Sequence, residues 1–162
     1  MREIILDTET TGLDPKMGHR LVEIGAVELI NHTPTGVNYQ TYINPERDVD
    51  PGAQEIHGLT NEFLKQHPTF GDISAKFIDF LSNSTLVIHN APFDLAFINM
   101  ELNRLGEPSI SSERVIDTLV LARKKFPGAQ ANLDALCRRF AIENRHRELH
   151  GALVDAALLA DV

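Results

Sequence analysis

Two carboxylates near the start of the chain, Asp7 and Glu9, come directly after an apolar run at residues 4–6. The run is rich in β-branched side chains, which indicates a buried strand. Because side chains alternate along a strand, the two acids project from one face if the strand continues through them. Neighbouring carboxylates that lose their water repel each other unless a cation lies between them. This stretch therefore predicts a site for a hard divalent metal ion.

The same acid-x-acid spacing occurs again at Glu46/Asp48 and at Asp48/Asp50, so the spacing alone does not identify a metal site. Those later pairs lie between Pro45 and Pro51 in an evident loop, where solvated charges are ordinary. Only the first pair follows an apolar strand. On that context alone, a metal site and a solvated surface pair both stay open.

Length and composition indicate one globular domain. The 162 residues suffice for a hydrophobic core that needs no disulfide or structural metal ion to hold it together. The fractions of hydrophobic residues (43%) and charged residues (23%) are ordinary for a soluble globular domain. The one cysteine, Cys137, rules out an internal disulfide and suits a reducing cytoplasm, and its spacing predicts a small core residue on an amphipathic helix. No apolar run reaches membrane-spanning length and no signal-peptide pattern opens the chain. We therefore expect a cytoplasmic protein without membrane contact.

The net charge of −8, from 15 basic and 23 acidic residues, argues against a tight, autonomous nucleic-acid binder. It does not exclude an enzyme that touches a few phosphates, because a carboxylate cluster that holds metal ions adds to the acidic count. Basic residues concentrate in one region: Arg123, Lys124, Lys125, Arg138, Arg139, Arg145 and Arg147. They are either helix-surface charges without a partner or a phosphate-contacting rim.

Strand signals predict a mixed α/β sheet. After the first strand, residues 21–30 and 38–43 read as strands that a loop at 31–36 joins into an antiparallel meander. Short apolar strands at 86–88 and 114–116 alternate with helices further on. We expect a five-stranded sheet, with three antiparallel strands and then parallel ones, flanked by helices.

Helical periodicity and capping signals complete the pattern. Thr69 and Asp72 are spaced like a capping box, Asn132 is placed as an N-cap and Gly58 as a C-cap. Asp117 is interpreted as a further helix cap rather than a metal ligand. Helices are predicted at residues 54–57, 72–82, 95–105 and 133–140, and from residue 152 onward. One further helix is predicted after the strand at 114–116, and it ends at Pro127-Gly128.

A third acidic candidate follows the strand at 86–88, which runs into His89-Asn90-Ala91-Pro92-Phe93-Asp94. Asp94 is at the start of the next helix, where N-capping is the ordinary role of an aspartate. If this strand lies beside the first one, Asp94 instead approaches Asp7 and Glu9. Helix cap and acidic ligand both remain possible from the residues alone.

A fourth acid and a histidine occur in His150-Gly151-Ala152-Leu153-Val154-Asp155. Asp155 falls on the first turns of the last predicted helix, and His150 lies at the end of a charged loop at 143–148. Side chains five residues apart on a regular helix do not stack. A histidine just outside the helix is, however, free to swing over a metal ion held by the aspartate.

Three motifs occur in order: Asp-Thr-Glu-Thr-Thr-Gly at 7–12, His-Asn-Ala-x-Phe-Asp at 89–94 and His-Gly-Ala-Leu-x-Asp at 150–155. Together they resemble the three motifs of the DEDDh 3′→5′ exonucleases. Four intervening segments resemble the proofreading ε-subunit branch of that family, which serves bacterial DNA polymerase III. These segments are Glu-Ile-Gly-Ala-Val-Glu, Asp-Pro-x-Ala with His-Gly-Leu-Thr, Ala-Arg-Lys-x-Phe-Pro-Gly and Leu-Asp-Ala-Leu-Cys.

The resemblance implies a ribonuclease H-like fold and a two-metal mechanism. It assigns two Mg²⁺ or Mn²⁺ ions to Asp7, Glu9, Asp94 and Asp155, with Asp7 shared between the ions. It assigns the general base to His150. The implied reaction is hydrolysis of the terminal phosphodiester at a DNA 3′ end, with release of nucleoside 5′-monophosphates during proofreading of replication.

The same resemblance implies substrate contacts, at Thr10, Gly12, Leu13, His57, Asn90 and Phe93. Thr10 and Gly12 are expected near the terminal nucleotide, and Leu13 and Phe93 against its base or sugar. A histidine at a helix end that bonds only to backbone is an equal alternative for His57. Asn90 is expected to fix the loop that precedes the third acid.

The resemblance also implies partners: a single-stranded or frayed DNA 3′ terminus, and the polymerase III catalytic subunit through a C-terminal segment. We expect residues 1–162 to form a single exonuclease domain that lacks this natural extension. Binding of a small accessory subunit is a further possible interaction. Two other functions remain as alternatives. One is a DEDDh exonuclease that acts on RNA or oligoribonucleotides, and the other is a catalytically idle structural subunit of a polymerase.

Overall fold

The computed structural model describes residues 1–144 and 150–162. Arg145, Arg147 and most of the charged loop predicted at 143–148 lie outside these described residues. The strands are β1 (Arg2–Thr10), β2 (Leu21–Ile30), β3 (Thr33–Tyr42), β4 (Thr85–Ile88) and β5 (Val115–Asp117). The helices are α1 (Pro51–His57), α2 (Asn61–Leu64), α3 (Phe70–Leu81), α4 (Ala91–Arg104), α5 (Thr118–Lys125), α6 (Leu133–Arg139) and α7 (Ala152–Asp161).

The strands form one mixed sheet in the order β3-β2-β1-β4-β5. β1, β2 and β3 make the antiparallel meander, and β4 and β5 run parallel to β1. This confirms the predicted α/β architecture. Within the part of the chain that is described, no helix is long and apolar enough to span a bilayer.

Helices cover both faces of the sheet. α3 and α4 pack on the face that carries Ile4 and Leu6, while α6 and α7 pack on the face that carries Ile5 and Val27. β1 and β2 are therefore buried on both sides, which is why they read as nearly continuous apolar runs. Burying a large apolar side chain contributes about 1.5–3 kcal/mol, so these two layers hold the sheet rigid. Cys137 is fully buried in the second layer, as predicted.

The predicted helix caps are present. Gly58 adopts the left-handed conformation (φ 73°) at the end of α1, and Thr69 and Asp72 form the reciprocal capping box of α3. Asn132 accepts a hydrogen bond from the third residue of α6. Asp117 caps α5 and also accepts a hydrogen bond from the backbone N–H of Asn90 at 3.0 Å, so it fixes the β4–α4 turn.

Several element boundaries differ from the prediction, and α4 begins at Ala91 rather than at residue 95. The loop predicted at 31–36 is wrong, because the β2–β3 turn contains only Asn31 and His32, both with positive φ, and β3 begins directly after it. Pro34 is accommodated within β3 because an edge strand leaves one side unpaired. α1 begins at Pro51, which suits the first helical turn, rather than at residue 54. The single-turn helix α2 was not predicted, since four residues show no periodicity.

β1 extends beyond its parallel neighbour. β4 pairs with residues 3–5 of β1 and then turns into α4. Beyond residue 5, where β1 carries Asp7 and Glu9, no strand among the described residues pairs with this edge, so side chains can approach it. Crevices at the carboxyl ends of parallel strands are the usual place for ligands in such sheets.

Gly25 brings α7 onto the sheet beside this edge. It lies opposite Asp7 in the β1–β2 pair. A Cβ atom at Gly25 would lie 2.2 Å from the backbone nitrogen of Leu153 and 2.4 Å from the carbonyl carbon of Ala152. The first turn of α7 therefore rests on the backbone of β2, and only glycine permits this approach.

We expect Gly25→Ala to lower the free energy of unfolding by about 1–3 kcal/mol, because the new methyl group overlaps backbone atoms that cannot move independently. Gly71→Ala in α3 is the matched control, since its added Cβ would meet its nearest neighbour at an ordinary 3.5 Å. Chemical denaturation of both variants measures the difference. Equal stability of the two would contradict the packing role of Gly25.

Candidate active site

A cavity of about 230 Å³ at the end of β1 is lined by every residue that the sequence assigns to catalysis. We call it the acidic cavity. These residues come from the sheet, from α4 and from the segment around the start of α7. They are Asp7, Glu9, Asp94, His150 and Asp155. Side chains up to 148 positions apart in the chain thus meet at one point of the fold.

Asp94 reaches the acidic cavity from the helix layer opposite α7. It is the fourth residue of α4, and the N-cap position is taken by Asn90 in the left-handed conformation (φ 60°), so the capping alternative for Asp94 is wrong. Its buried carboxylate accepts hydrogen bonds from the hydroxyl of Thr8, at 2.5 Å, and from the Thr8 backbone N–H. Asp94 thus bonds to the part of the β1 edge that β4 leaves unpaired.

Glu9, His150 and Asp155 form a compact group, with one potential ligand atom of each within 4.8 Å of the others. Asp155 is buried in the first turns of α7. His150 precedes the helix by two residues, as expected, and its backbone N–H donates to the carbonyl of Ile56 at 2.8 Å. The main chain of His150 is therefore held from α1, while Asp155 is carried by α7.

The electrostatics of the acidic cavity favour a cation. Burial, followed by the charges of Asp94, Glu9 and Asp155, raises the pKa of Asp7 well above its ordinary value. Burial likewise raises the pKa of Asp94 to about 7, although the Thr8 hydrogen bonds oppose the shift. Ionised carboxylates in this arrangement repel one another, and a divalent ion relieves the repulsion. Clustered carboxylate oxygens are a donor set that suits Mg²⁺ or Mn²⁺.

Glu23 fixes the start of α7, a contact that the sequence analysis did not identify. The N-cap residue of α7 is Gly151, which has no side chain that could cap the helix. Instead the buried Glu23 carboxylate accepts a hydrogen bond from the Ala152 N–H at 2.9 Å and another from Gln40 at 2.8 Å. Burial raises the pKa of Glu23, and these two hydrogen bonds oppose that shift. The signal in the sequence that could have identified this contact is the position of Glu23 within the otherwise mostly apolar strand β2.

A second, larger cavity of about 490 Å³ adjoins the acidic one and shares Thr8, Glu9 and Phe93 with it. We call it the apolar cavity. Predicted substrate contacts on its wall are Thr10, Gly12, Leu13, His57 and Phe93, and α1 adds Pro51, Ala53 and Ile56, which the sequence did not identify. The side chains of Leu13 and Ile56 are 83% and 48% exposed, so they offer apolar surface to a ligand.

His57 uses both ring nitrogens within the protein. Nδ1 accepts from the backbone N–H of Leu59 at 3.0 Å, so Nε2 carries the proton and donates to the carbonyl of Thr10 at 3.0 Å. Burial lowers the pKa of His57, which favours this neutral form. The geometry agrees with the backbone-bonded alternative, and a ligand in the apolar cavity meets only carbon atoms of this ring.

The turn after β1 is braced from behind by His19. The ring fills the space that a side chain at Gly12 would need, since a Cβ there would lie 2.3 Å from ring carbon Cε1. His19 also contacts the Thr11 hydroxyl at 2.9 Å and the Asp50 carboxylate at 3.3 Å. Thr10 donates its hydroxyl proton to the Gly12 carbonyl at 2.5 Å. This turn is therefore a firm wall of the apolar cavity.

Asn90 lies on the opposite side of the acidic cavity. It lines both that cavity and a third one of about 400 Å³, which we call the polar cavity. Arg123, Gln130 and Asn132 contribute to the polar cavity's wall. The predicted site residues thus lie around the acidic and apolar cavities, and Asn90 lies between the acidic cavity and the polar one.

Sequence comparison relates this chain to known nucleases. Residues 4–162 match the family described as Exonuclease. DNA polymerase III subunit epsilon of Rickettsia felis is 58% identical over 165 residues, which cover 100% of this chain and 72% of that protein. The subunit of the same name from Pasteurella multocida is 48% identical over 168 residues, which cover 99% of this chain and 66% of that protein.

Solved structures show the same fold. Exonuclease X, in complex with 5′ overhanging duplex DNA, superposes with a TM-score of 0.72 at 28% identity, over 98% of this chain and 89% of that one. The nuclease domain of 3′hExo, a DEDDh family member bound to rAMP, gives a TM-score of 0.82 at 20% identity, over 99% of this chain and 88% of that one.

The raised pKa of Asp94 predicts a pH-dependent stability of the metal-free protein. Folded Asp94 keeps its proton up to about pH 7, whereas the unfolded chain releases it near 3.8, so unfolding becomes easier as pH rises between these values. In EDTA, we expect the Asp94 contribution alone to lower the free energy of unfolding in this window by up to about 1.4 kcal/mol per pH unit, in addition to the fall caused by the raised pKa of Asp7.

Asp94→Asn should make this fall shallower, while Asp79→Asn, on the exposed face of α3, should leave it unchanged. Urea denaturation at several pH values provides the measurement. Mn²⁺ at pH 8 should restore stability to the unmodified protein, because the ion binds the ionised carboxylates. Parallel pH profiles for the unmodified and Asp94→Asn proteins would rule out the assigned environment of Asp94.

Proposed function

Because the chain belongs to the exonuclease family and is similar over its whole length to DNA polymerase III epsilon subunits, we propose that it is a 3′→5′ DNA exonuclease that proofreads replication in the bacterial cytoplasm. The observation that carries the proposal is the convergence of the three motifs on one acidic cavity beside an apolar one. Family membership makes the chain a nuclease. The polymer, the mechanism and the product are the proposed parts.

The acidic cavity is proposed to hold two divalent ions, Mg²⁺ or Mn²⁺. Asp7, Glu9 and Asp155 would hold one of them, and Asp7 would be shared with the second, on the side of Asp94. When bound, such ions stabilise the attacking and the leaving oxygen of a phosphodiester undergoing in-line displacement. The support is the carboxylate donor set, together with the burial and the mutual repulsion that raise the pKa of Asp7.

His150 is proposed as the general base. Its ring lies at the edge of the acidic cavity, within 4.8 Å of carboxylate oxygens of Glu9 and Asp155, and its backbone is tied to α1. From this position an imidazole nitrogen can take the proton of the attacking water. The P–O3′ bond to the upstream nucleotide then breaks, and the released nucleotide keeps its 5′-phosphate.

The apolar cavity is proposed to hold the terminal nucleoside. Leu13 and Phe93 offer hydrophobic surface to the base and sugar, and the braced turn at Thr10 and Gly12 supplies a fixed wall. This wall is mostly aliphatic, aromatic or main-chain, which suits any of the four bases. Discrimination would then come from the easier fraying of a mismatched end rather than from recognition of a base.

We propose the polymerase catalytic subunit as the protein partner. The net charge of −8 gives this chain little affinity of its own for a phosphate backbone. Tethering to an enzyme that already holds the primer end raises the local concentration of that end and removes the need for strong intrinsic binding.

We expect 3′-labelled DNA to be hydrolysed faster than RNA of the same sequence, with Mg²⁺ or Mn²⁺ and not in EDTA, and a mismatched terminus faster than a matched one. Asp7→Ala should abolish the activity, because it removes the ligand shared by both ions. Faster hydrolysis of RNA would replace the DNA proposal with the RNA-directed alternative. Absence of Mn²⁺-dependent hydrolysis of any nucleotide ester would favour the idle structural subunit.

His150→Ala should lower kcat by about 10²–10⁴-fold while Mn²⁺ binding, measured by titration calorimetry, is retained. His32→Asn is the control, because that histidine lies in the exposed β2–β3 turn, beside the start of β1 and at the opposite end of that strand from Asp7 and Glu9. Turnover close to that of the unmodified protein in His150→Ala would remove this residue from the mechanism.

A further inference from the structure

The polar cavity has no role in the function proposed so far. We propose that it binds the nucleotide immediately upstream of the scissile bond, with the Arg123 guanidinium on the 5′-phosphate of that nucleotide. This inference rests on the proposed exonuclease activity and adds a second nucleotide subsite to it.

The arrangement of the three cavities supports the proposal. The acidic cavity shares Glu9 and Phe93 with the apolar cavity, and it shares His89 and Asn90 with the polar one. A phosphodiester at the acidic cavity carries one nucleoside on each side. If the terminal nucleoside occupies the apolar cavity, the upstream nucleotide extends past Asn90 into the polar cavity.

The chemistry of the polar cavity suits a phosphate-bearing ligand. Arg123 lies exposed in the last turn of α5 and forms no ion pair with any acid in residues 1–144 and 150–162. A guanidinium binds phosphate through paired N–H donors, and the side-chain amide of Gln130 adds another donor to the wall. The neighbouring carboxylates repel phosphate, so a cation at this point offsets that repulsion for the incoming strand.

The other basic residues of this region have different surroundings. The Nζ of Lys125 lies 5.7 Å from the ring centroids of both Phe126 and Phe140, and the guanidinium carbon of Arg139 lies 4.3 Å from that of Phe126. Among the basic side chains of this region that the structure describes, Arg123 alone lines the polar cavity. The basic region therefore divides into one phosphate-facing arginine and a set of surface charges.

Three substrates test the subsite: the thymidine dinucleotide with a 5′-phosphate, the same dinucleotide without it, and the p-nitrophenyl ester of thymidine 5′-monophosphate, which has no upstream nucleotide. We expect the unmodified protein to prefer the phosphorylated dinucleotide by about tenfold in kcat/KM, mainly through KM. Arg123→Gln should lose this preference and hydrolyse the nitrophenyl ester at an unchanged rate.

Lys124→Gln is the matched control, since it removes the same charge one residue further along α5 from a side chain that does not line the polar cavity. It should keep the preference. The subsite is overturned if the unmodified protein shows no preference, if Arg123→Gln keeps it, or if both variants lose it equally. Failure of the unmodified protein to hydrolyse the nitrophenyl ester with Mn²⁺ would overturn the proposed exonuclease function itself.

Discussion

Four carboxylates meet at the end of β1, and the surrounding fold holds them there against their mutual repulsion. Burial and like charge both raise the pKa of Asp7, so the metal-free site is a source of instability. The apolar layers on the two faces of the sheet supply the compensating free energy, and hydrogen bonds such as that from Thr8 to Asp94 fix the geometry. Net stabilities of domains are only about 5–15 kcal/mol, so such a site requires a well-packed scaffold.

The start of α7 is where this scaffold acts most directly. Gly25 lets the helix rest on β2, Glu23 caps it from the same strand, and Ile56 holds the backbone of His150 from α1. The Glu23–Ala152 hydrogen bond joins residues 129 positions apart. The final motif is therefore placed by tertiary contacts, and the site exists only once the sheet and both helix layers have assembled. Since α1 also lines the apolar cavity, one helix positions both the nucleoside wall and the proposed base.

How much of this was predictable depends on whether the controlling contact is local. The strand that carries Asp7 and Glu9, the capping box at Thr69 and the mixed sheet follow from periodicity and turn chemistry, and the structure agrees with them. The place of Asp94 does not follow, because its helix-start position looks the same in sequence whether it caps the helix or bonds to an open strand edge. The resemblance to DEDDh exonucleases, rather than spacing, assigned it to the acidic cavity.

Other features escaped the sequence for the same reason. Glu23 and Glu9 are both acids on neighbouring strands, and nothing local distinguishes the one that caps α7 from the one that lines the acidic cavity. His57 is a helix-end histidine in sequence, and only its two backbone partners show that neither ring nitrogen is left for a ligand. The two-residue β2–β3 turn was missed because Pro34 and Gly36 suggest a loop wherever the strand's edge position is unknown.

The two outer cavities differ in a way that, under the proposed function, accounts for attack at a chain end rather than within a strand. A terminal nucleoside carries no phosphate beyond the scissile one, so its cavity needs apolar surface and no cation, and the walls from Leu13 and Ile56 match this. The upstream nucleotide brings a further phosphate, and the cavity on that side holds Arg123. A strand bound with an internal nucleotide in the apolar cavity would place a phosphate against apolar side chains. The asymmetry of the walls thus favours a chain terminus over an internal nucleotide in the apolar cavity, with no need for the protein to read a base.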